Sequence, residues 1–358
     1  MKKIMSTFLV IVMLLSLVGC VDGGGSGKTY KTRNRTISDV YFNTYSQVST
    51  YADESDAPIE SYVRIAEEIL SHYHELFDIY YEYSGVNNIC TINKNAGKAP
   101  VKVDAELIDF LLYCKELYAL TRGKTNVMLG SVLSIWHDCR EAADENDGYL
   151  DPSELPTAHE LQAAAAHTSM DALEIDREAS TVYISDPEAS LDVGAIAKGY
   201  VVDIIYERIK ETGAESVVLN IGGNVRTIGT KPDGGLWASA ITNPDRSSNE
   251  AFVCRISLGE ASVVTSGDYE RYFVSGTEEY HHIIDPATLM PARYFRSVSI
   301  IGDGSGLADA LSTALFCMSY EDGLALIEEL RADGAYYEVL WVDAKGTLRM
   351  TDGFPIAS

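Results

Sequence analysis

The chain predicts a mixed α+β fold. Apolar residues recur at helical spacing in its first half, and short β-type runs crowd its second half. Strands and helices do not alternate in a regular way. Hydrophobic residues make up 46% of the chain, enough for a sizeable core in one large domain or two closely joined ones.

The first element is not part of that fold. Lys2 and Lys3 precede an apolar run from Phe8 to Val18, which ends in Leu17-Val18-Gly19-Cys20. A charged start, a short apolar stretch and a small residue before cysteine form a lipoprotein signal peptide. The run is too short to span about 30 Å of hydrocarbon, which needs roughly 20 apolar residues. Residues 1–19 are therefore read as a signal peptide removed by cleavage. Cys20 would become a diacylated N-terminus, two acyl chains being what stable anchoring needs. Residues 20–36 are read as the lipidated cysteine and a flexible tether, built around the glycine-rich Val21–Lys28. The folded body is placed at 37–358, at the membrane's extracytoplasmic face.

Within the body, Ile65, Ile69, Tyr73, Leu76 and Tyr80 recur three and four apart, so Ile59 to Tyr80 predicts an amphipathic helix with Pro58 near its first turn. Asp104 is placed as the N-cap of a second helix, running through Leu107, Leu111, Leu117 and Leu120 to Gly123. Asn87, Asn88 and Asn93 are read as turns, and the polar stretch Asp144 to Ser153 as a loop. Later, β-type runs at Ser216–Ile221, Ser262–Thr265 and Val298–Ile301 are interspersed with helices after Ala195, Leu307 and Glu321.

A formal net charge of −25 excludes nucleic acid as a partner, because such binding neutralises phosphates with clustered Lys and Arg. Beyond Cys20 the cysteines are Cys90, Cys114, Cys139, Cys254 and Cys317. Their odd number, without CxxC spacing, suits neither a disulfide framework nor zinc, and most are read as small core residues.

Four clusters could carry chemistry. Leu191-Asp192-Val193-Gly194-Ala195-Ile196-Ala197-Lys198-Gly199-Tyr200 reads as a short strand, a glycine turn and a helix start, where N–H groups and Lys198 could face an anion. For this cluster alone, a capping Asp192 and a solvated Lys198 are the better explanation. Asn220-Ile221-Gly222-Gly223-Asn224 suits either close backbone approach to a ligand or a plain hairpin turn. After Thr265-Ser266-Gly267-Asp268-Tyr269-Glu270-Arg271-Tyr272-Phe273 comes Tyr280-His281-His282-Ile283-Ile284-Asp285-Pro286, whose adjacent histidines point to opposite sides of a strand. One histidine beside an acid fits proton transfer better than zinc. In Leu307–Leu315, Asp309 and Thr313 lie four apart on one helix face, a hard oxygen pair suited to magnesium, although Asp309 near a helix start also suits the helix dipole.

All four clusters, in this order, resemble the ApbE family, the FAD:protein FMN transferases, over about Tyr41 to Thr347. The block Gly123–His137 looks like the version in Gram-positive anaerobes. The resemblance implies mainly antiparallel sheets with flanking helices, and FAD held in a cleft between two lobes. It further implies that Tyr80, Lys124, Thr125, Asn126, Asp192, Lys198 and Ile283 contact FAD. Magnesium would be held by the Ala195 carbonyl, Asp309 and Thr313, with Ser312 adjacent, and His282 matches the catalytic histidine. Many members have Ala-Phe-Asp where this chain has Lys124-Thr125-Asn126. The implied activity transfers FMN from FAD to a Ser or Thr hydroxyl. The implied acceptor is a flavin-carrying subunit of an Rnf- or Nqr-type redox complex or an exported flavoprotein. FAD hydrolysis to FMN and AMP, or flavin binding without turnover, are the rival readings.

Overall fold

The computed structural model describes residues 20–22, 29–38, 40–52 and 57–357. Nine strands form one sheet whose spatial order is the chain order, every neighbour antiparallel. They are β1 (Cys20–Asp22), β2 (Thr29–Ile37), β3 (Ser46–Ala52), β4 (Ser216–Ile221), β5 (Asn224–Gly229), β6 (Ser262–Gly267), β7 (Phe295–Gly302), β8 (Tyr337–Asp343) and β9 (Leu348–Met350). Strands β4, β7 and β8 are buried along nearly their whole length, so both sheet faces are covered there.

Helices and smaller sheets are inserted into this meander. Between β3 and β4 lie α1 (Ala57–Phe77), α2 (Ile89–Lys94), α3 (Ala105–Leu120), α4 (Gly130–Asp144), α5 (Ala158–Ala165) and α6 (Ala197–Lys210). A three-stranded sheet of Val101–Lys102, Leu173–Asp176 and Thr181–Ile184 is also in this insert. A hairpin of Tyr272–Ser275 and Glu278–His281 separates β6 from β7. Helices α7 (Ser305–Phe316) and α8 (Tyr320–Ala332) separate β7 from β8. One core joins α1, α3 and α6 to β4, and a second joins α7 and α8 to β7 and β8. A pair of strands, Trp237–Thr242 and Phe252–Leu258, packs Trp237, Ile241 and Ile256 against Val218, Val263 and Leu340 of the sheet.

The fold class is the one expected from sequence, with several corrections. Residues 29–36, expected as tether, belong to β2, which pairs with β3 over seven residues. Its main-chain ladder holds a strand polar enough to resemble a linker, only Ile37 being buried. Cys20–Asp22, also assigned to the tether, pairs with β2. The signal peptide 1–19, the Cys20 side chain and residues 23–28 lie outside the described residues. The first predicted helix stops at Phe77, because Asp78 Oδ1 accepts from the amides of Tyr80 (2.7 Å) and Tyr81 (3.0 Å) and turns the chain out of the helix. Asn93 is helical rather than a turn, since Asn88 forms a capping box with Thr91 that starts α2. Asp104 occupies the N-cap position of α3 without a side-chain cap bond. Helix α4 was not anticipated.

Four of the five body cysteines are buried and all five are free, as expected of core residues. Asn220–Asn224 is a two-residue hairpin turn in which Gly222 and Gly223 both take positive φ (58° and 89°). A Cβ on Gly222 would lie 2.5 Å from Thr44 Oγ1, so the close approach is to protein. Among the described residues, no helix is long and apolar enough to cross a membrane.

Candidate active site

Helices α6 and α7 cap each other. Asp203 of α6 accepts from the amides of Ser305 and Gly306 at the start of α7, both at 2.7 Å. Asp309 of α7 in turn accepts from the Gly199 amide of α6 through Oδ2 at 2.9 Å. Each carboxylate meets orphan N–H groups and the positive end of a helix dipole. Burial nonetheless raises the Asp203 pKa against the pull of those two amides.

The crossing requires glycine at 199. A Cβ there would lie 2.4 Å from the Ser305 carbonyl oxygen and 2.7 Å from Asp309 Cβ. On helix propensity alone Gly199→Ala gains about 1 kcal/mol. Overpacking against a backbone oxygen costs about 1–3 kcal/mol, and the helix that must yield carries Asp309. A 2.4 Å contact to backbone puts the cost at the upper end of that range, so the substitution is expected to lower stability by about 2 kcal/mol. A denaturation midpoint equal to or above the parent's would contradict this packing.

An oxygen-rich face results. Lys198 Nζ stands 3.7 Å from Asp309 Oδ2. Asp309 Oδ1 and the Thr313 hydroxyl, one helical turn apart, carry no hydrogen bond to another described residue. The Ser312 hydroxyl is engaged, donating to the Asp309 carbonyl at 2.9 Å and meeting Ser266 Oγ at 2.8 Å. Among the described residues, no three His, Cys, Asp or Glu side chains converge as a metal cluster. A cation here would draw on one carboxylate plus neutral oxygens. That set fits magnesium, which keeps waters or takes substrate phosphates in its remaining positions.

The histidine pair divides as its surroundings dictate. His281 ends its strand buried, with Nε2 donating to the Ala292 carbonyl (2.7 Å) and Nδ1 accepting from the Ile283 amide (3.2 Å). Burial pushes its pKa down to about 4. Both nitrogens are engaged, so His281 is structural. His282 follows the strand's end, and the Arg271 carbonyl accepts from its amide (3.0 Å) and from Nδ1 (3.2 Å). A carbonyl only accepts, so Nδ1 carries the proton and the Nε2 lone pair is left for a substrate. Burial, then the charges of Arg271 and Arg140, hold the His282 pKa well below the ordinary histidine value. His282 shares a small recess with Trp136, His137, Arg140, Arg271 and Tyr280.

Arg271 links the two halves of the site. Its neighbour Glu270 feels Lys198 on the oxygen side; burial pushes the Glu270 carboxyl up against that pull. Arg271 itself feels Tyr80 and Asp192 on the histidine side. Asp192 Oδ1 accepts from the Gly194 amide at 2.9 Å, a turn leading into α6 without the predicted strand. Its Oδ2 lies 3.6 Å from His137 Nε2.

The segment 124–126 buttresses the site from behind. Lys124 Nζ pairs with Asp285 Oδ1 at 2.8 Å, beyond the His282 loop, and Asp285 is 1% exposed. Thr125, buried, donates to the Ala310 carbonyl of α7 at 2.7 Å. Asn126 caps the next turn through Met128 N and donates to the Thr168 carbonyl. Ile283 has both main-chain groups engaged, with His281 and Ala292, and its side chain is buried. The structure thus sets Lys198 beside Asp309, one helical turn from Thr313, and sets Asp192 and Tyr80 on either side of His137 in the recess that holds His282. Thr125, Asn126, Ser312 and Ile283 each make hydrogen bonds within the protein. Sequence reasoning missed His137, Arg140 and Arg271. The spacing of Leu133, Trp136, His137 and Arg140 is the signal that marks α4 and the face they share.

The sequence and the fold have known counterparts. The ApbE family model matches residues 42–337. The FAD:protein FMN transferase of Haemophilus influenzae is 26% identical over 92% of this chain and 91% of its own. That of Vibrio cholerae is 29% identical over 89% and 90%. The crystal structure of the ApbE protein from Thermotoga maritima superposes with a TM-score of 0.74 at 26% identity, covering 89% of this chain and 97% of that one. The flavin transferase ApbE from Vibrio cholerae has the same fold, with a TM-score of 0.73 at 24% identity over 91% and 98%. With the match running from Phe42, just before β3, to Tyr337 at the start of β8, and so across both halves of the site, the chain belongs to the ApbE family.

Proposed function

We propose that this protein transfers FMN from FAD to a Ser or Thr hydroxyl of an acceptor protein, releasing AMP. The observation that carries the chemistry is a histidine whose Nδ1 is held by the Arg271 carbonyl, leaving Nε2 free, and the reading joins it to the oxygen-rich face of α7. The acceptor oxygen attacks the flavin-side phosphorus, the bridging P–O bond breaks, and AMP leaves with that electron pair. The acceptor proton passes to His282 Nε2. Asp309, Thr313 and the Ala195 carbonyl would hold magnesium, which when bound neutralises charge on the departing phosphate. Lys198 adds a positive charge on the same face. Tyr80 and Asp192 contact the dinucleotide, and Arg271 fixes the His282 tautomer through its carbonyl.

The acceptor is a flavin-carrying redox subunit of the Rnf or Nqr type, or an exported flavoprotein. Incubation with FAD, magnesium and such an acceptor should release one AMP per FMN bound, and a chelator should stop both. AMP release without acceptor labelling would identify a pyrophosphatase instead. We place the enzyme on the extracytoplasmic membrane face through lipid on Cys20, because Lys2, Lys3, the apolar run and Gly19-Cys20 form a lipobox. Cys20→Ala should abolish incorporation of labelled palmitate and release the protein from membranes; unchanged labelling would overturn the anchor.

A further inference from the structure

Three chain segments far apart in sequence meet at one histidine. Tyr80, in the turn after α1, places its hydroxyl 3.3 Å from His137 Nδ1. Asp192, ahead of α6, places Oδ2 3.6 Å from His137 Nε2. His137 itself projects from α4 beside Trp136 and Arg140, in the recess that holds His282. Tyr80 is 53% exposed, so little else fixes its ring, which stands 6.4 Å from the imidazole at a 43° tilt.

The chemistry of these groups orders the contacts. Asp192 Oδ2, 3.6 Å from Nε2, lies beyond hydrogen-bond reach and acts on the imidazole as a charge, which favours the tautomer with its proton on Nε2. In that tautomer Nδ1 presents its lone pair and the Tyr80 hydroxyl donates to it at 3.3 Å. Burial keeps the imidazole neutral by lowering its pKa, against the pull of Asp192, while the Tyr80 phenol, its pKa raised by its half-buried ring and then by Asp192, is protonated as a phenol ordinarily is. The series continues through Asp192 Oδ1 to the Gly194 amide, and so into the turn that starts α6 and its Gly199–Asp309 contact.

We infer that His137 is a positioning residue for the dinucleotide, holding the Tyr80 ring and the Asp192 carboxylate in one rigid frame against the α6 start. This rests on the reading that Tyr80 and Asp192 contact FAD. His137 does not touch the reacting phosphorus. Its loss should therefore weaken binding of FAD more than it slows the chemical step.

The test uses the full-length enzyme, with FAD binding followed by flavin fluorescence and turnover followed with acceptor. His137→Ala should raise the KM and Kd for FAD about tenfold, with kcat within about threefold, a split typical of lost ground-state binding. His137→Asn keeps a polar atom near the Nδ1 position, and His137→Gln one near Nε2, so each should recover part of the loss. Tyr80→Phe should raise KM alone, and adding His137→Ala to it should cost less than the product of the two single effects, because both remove the same hydrogen bond. Wild-type KM in a folded His137→Ala, or fully multiplicative effects in the double variant, would overturn the inference. If Tyr80→Phe, Tyr80→Ala and Asp192→Asn all bind FAD like the parent, the underlying FAD-contact reading fails instead. If His137→Ala does not fold, the Asn and Gln variants decide, and wild-type KM in both would again overturn it.

Discussion

Asp309→Asn should remain folded and lose at least about 10³-fold in kcat/KM, equivalent to about 4 kcal/mol of transition-state stabilisation. Asparagine is the informative substitution because Asp309 has two duties. Oδ2 accepts the Gly199 amide at the start of α6, and an amide oxygen can keep that bond. Oδ1, which that bond does not engage, would with Thr313 hold the cation, which an uncharged amide holds poorly. Asp309→Ala should also lose activity, but it strands the Gly199 N–H and costs about 1–2 kcal/mol of stability besides. Denaturation curves read beside activity separate the two duties. Substantial activity in folded Asp309→Asn would remove Asp309 from the metal site and leave it only as a cap.

The second large effect is at His282. General base catalysis contributes typically 10²–10⁴-fold, so His282→Ala should lower kcat by about 10³ while leaving FAD binding within about threefold. The pH profile tests the same role. A base must be neutral to accept a proton, and burial with Arg271 and Arg140 nearby depresses the His282 pKa. The neutral form therefore persists as pH falls past about 6.5, where an unperturbed histidine titrates. The kcat/KM of the parent should stay level through that region and decline only at more acidic pH. Arg140→Met removes one opposing charge, so its acidic limb should move upward in pH. An unchanged limb in Arg140→Met, together with full activity in His282→Ala, would reassign the base.

The parts of this structure legible in the sequence are those governed by local periodicity. The apolar spacing from Ile65 to Leu76 marked α1, and Asp309 with Thr313 shared a face because a helix repeats in about four residues. The Gly222-Gly223 hairpin followed from the one residue type that takes positive φ freely. What stayed hidden depends on partners distant in the chain. Strand β2 is held by main-chain pairing to β3 and has no apolar signature of its own. Lys124 meets Asp285 across 161 positions, and Asp203 meets the α7 amides across 102 and 103. The resemblance implies Thr125 and Asn126 as ligand contacts, at positions where many members have other residues, and their bonds to Ala310, Met128 and Thr168 depend on the tertiary fold. His137 and Arg140 had the right helical spacing, yet only the position of α4 beside the Glu278–His281 strand gives that face a role.

The most direct measurement is the intact mass of an acceptor protein after incubation with this enzyme, FAD and magnesium, beside the same acceptor with its target Ser or Thr changed to alanine. The proposed transfer predicts a gain of one covalently bound FMN in the first and none in the second, surviving denaturation. An unmodified acceptor alongside free FMN and AMP would contradict it.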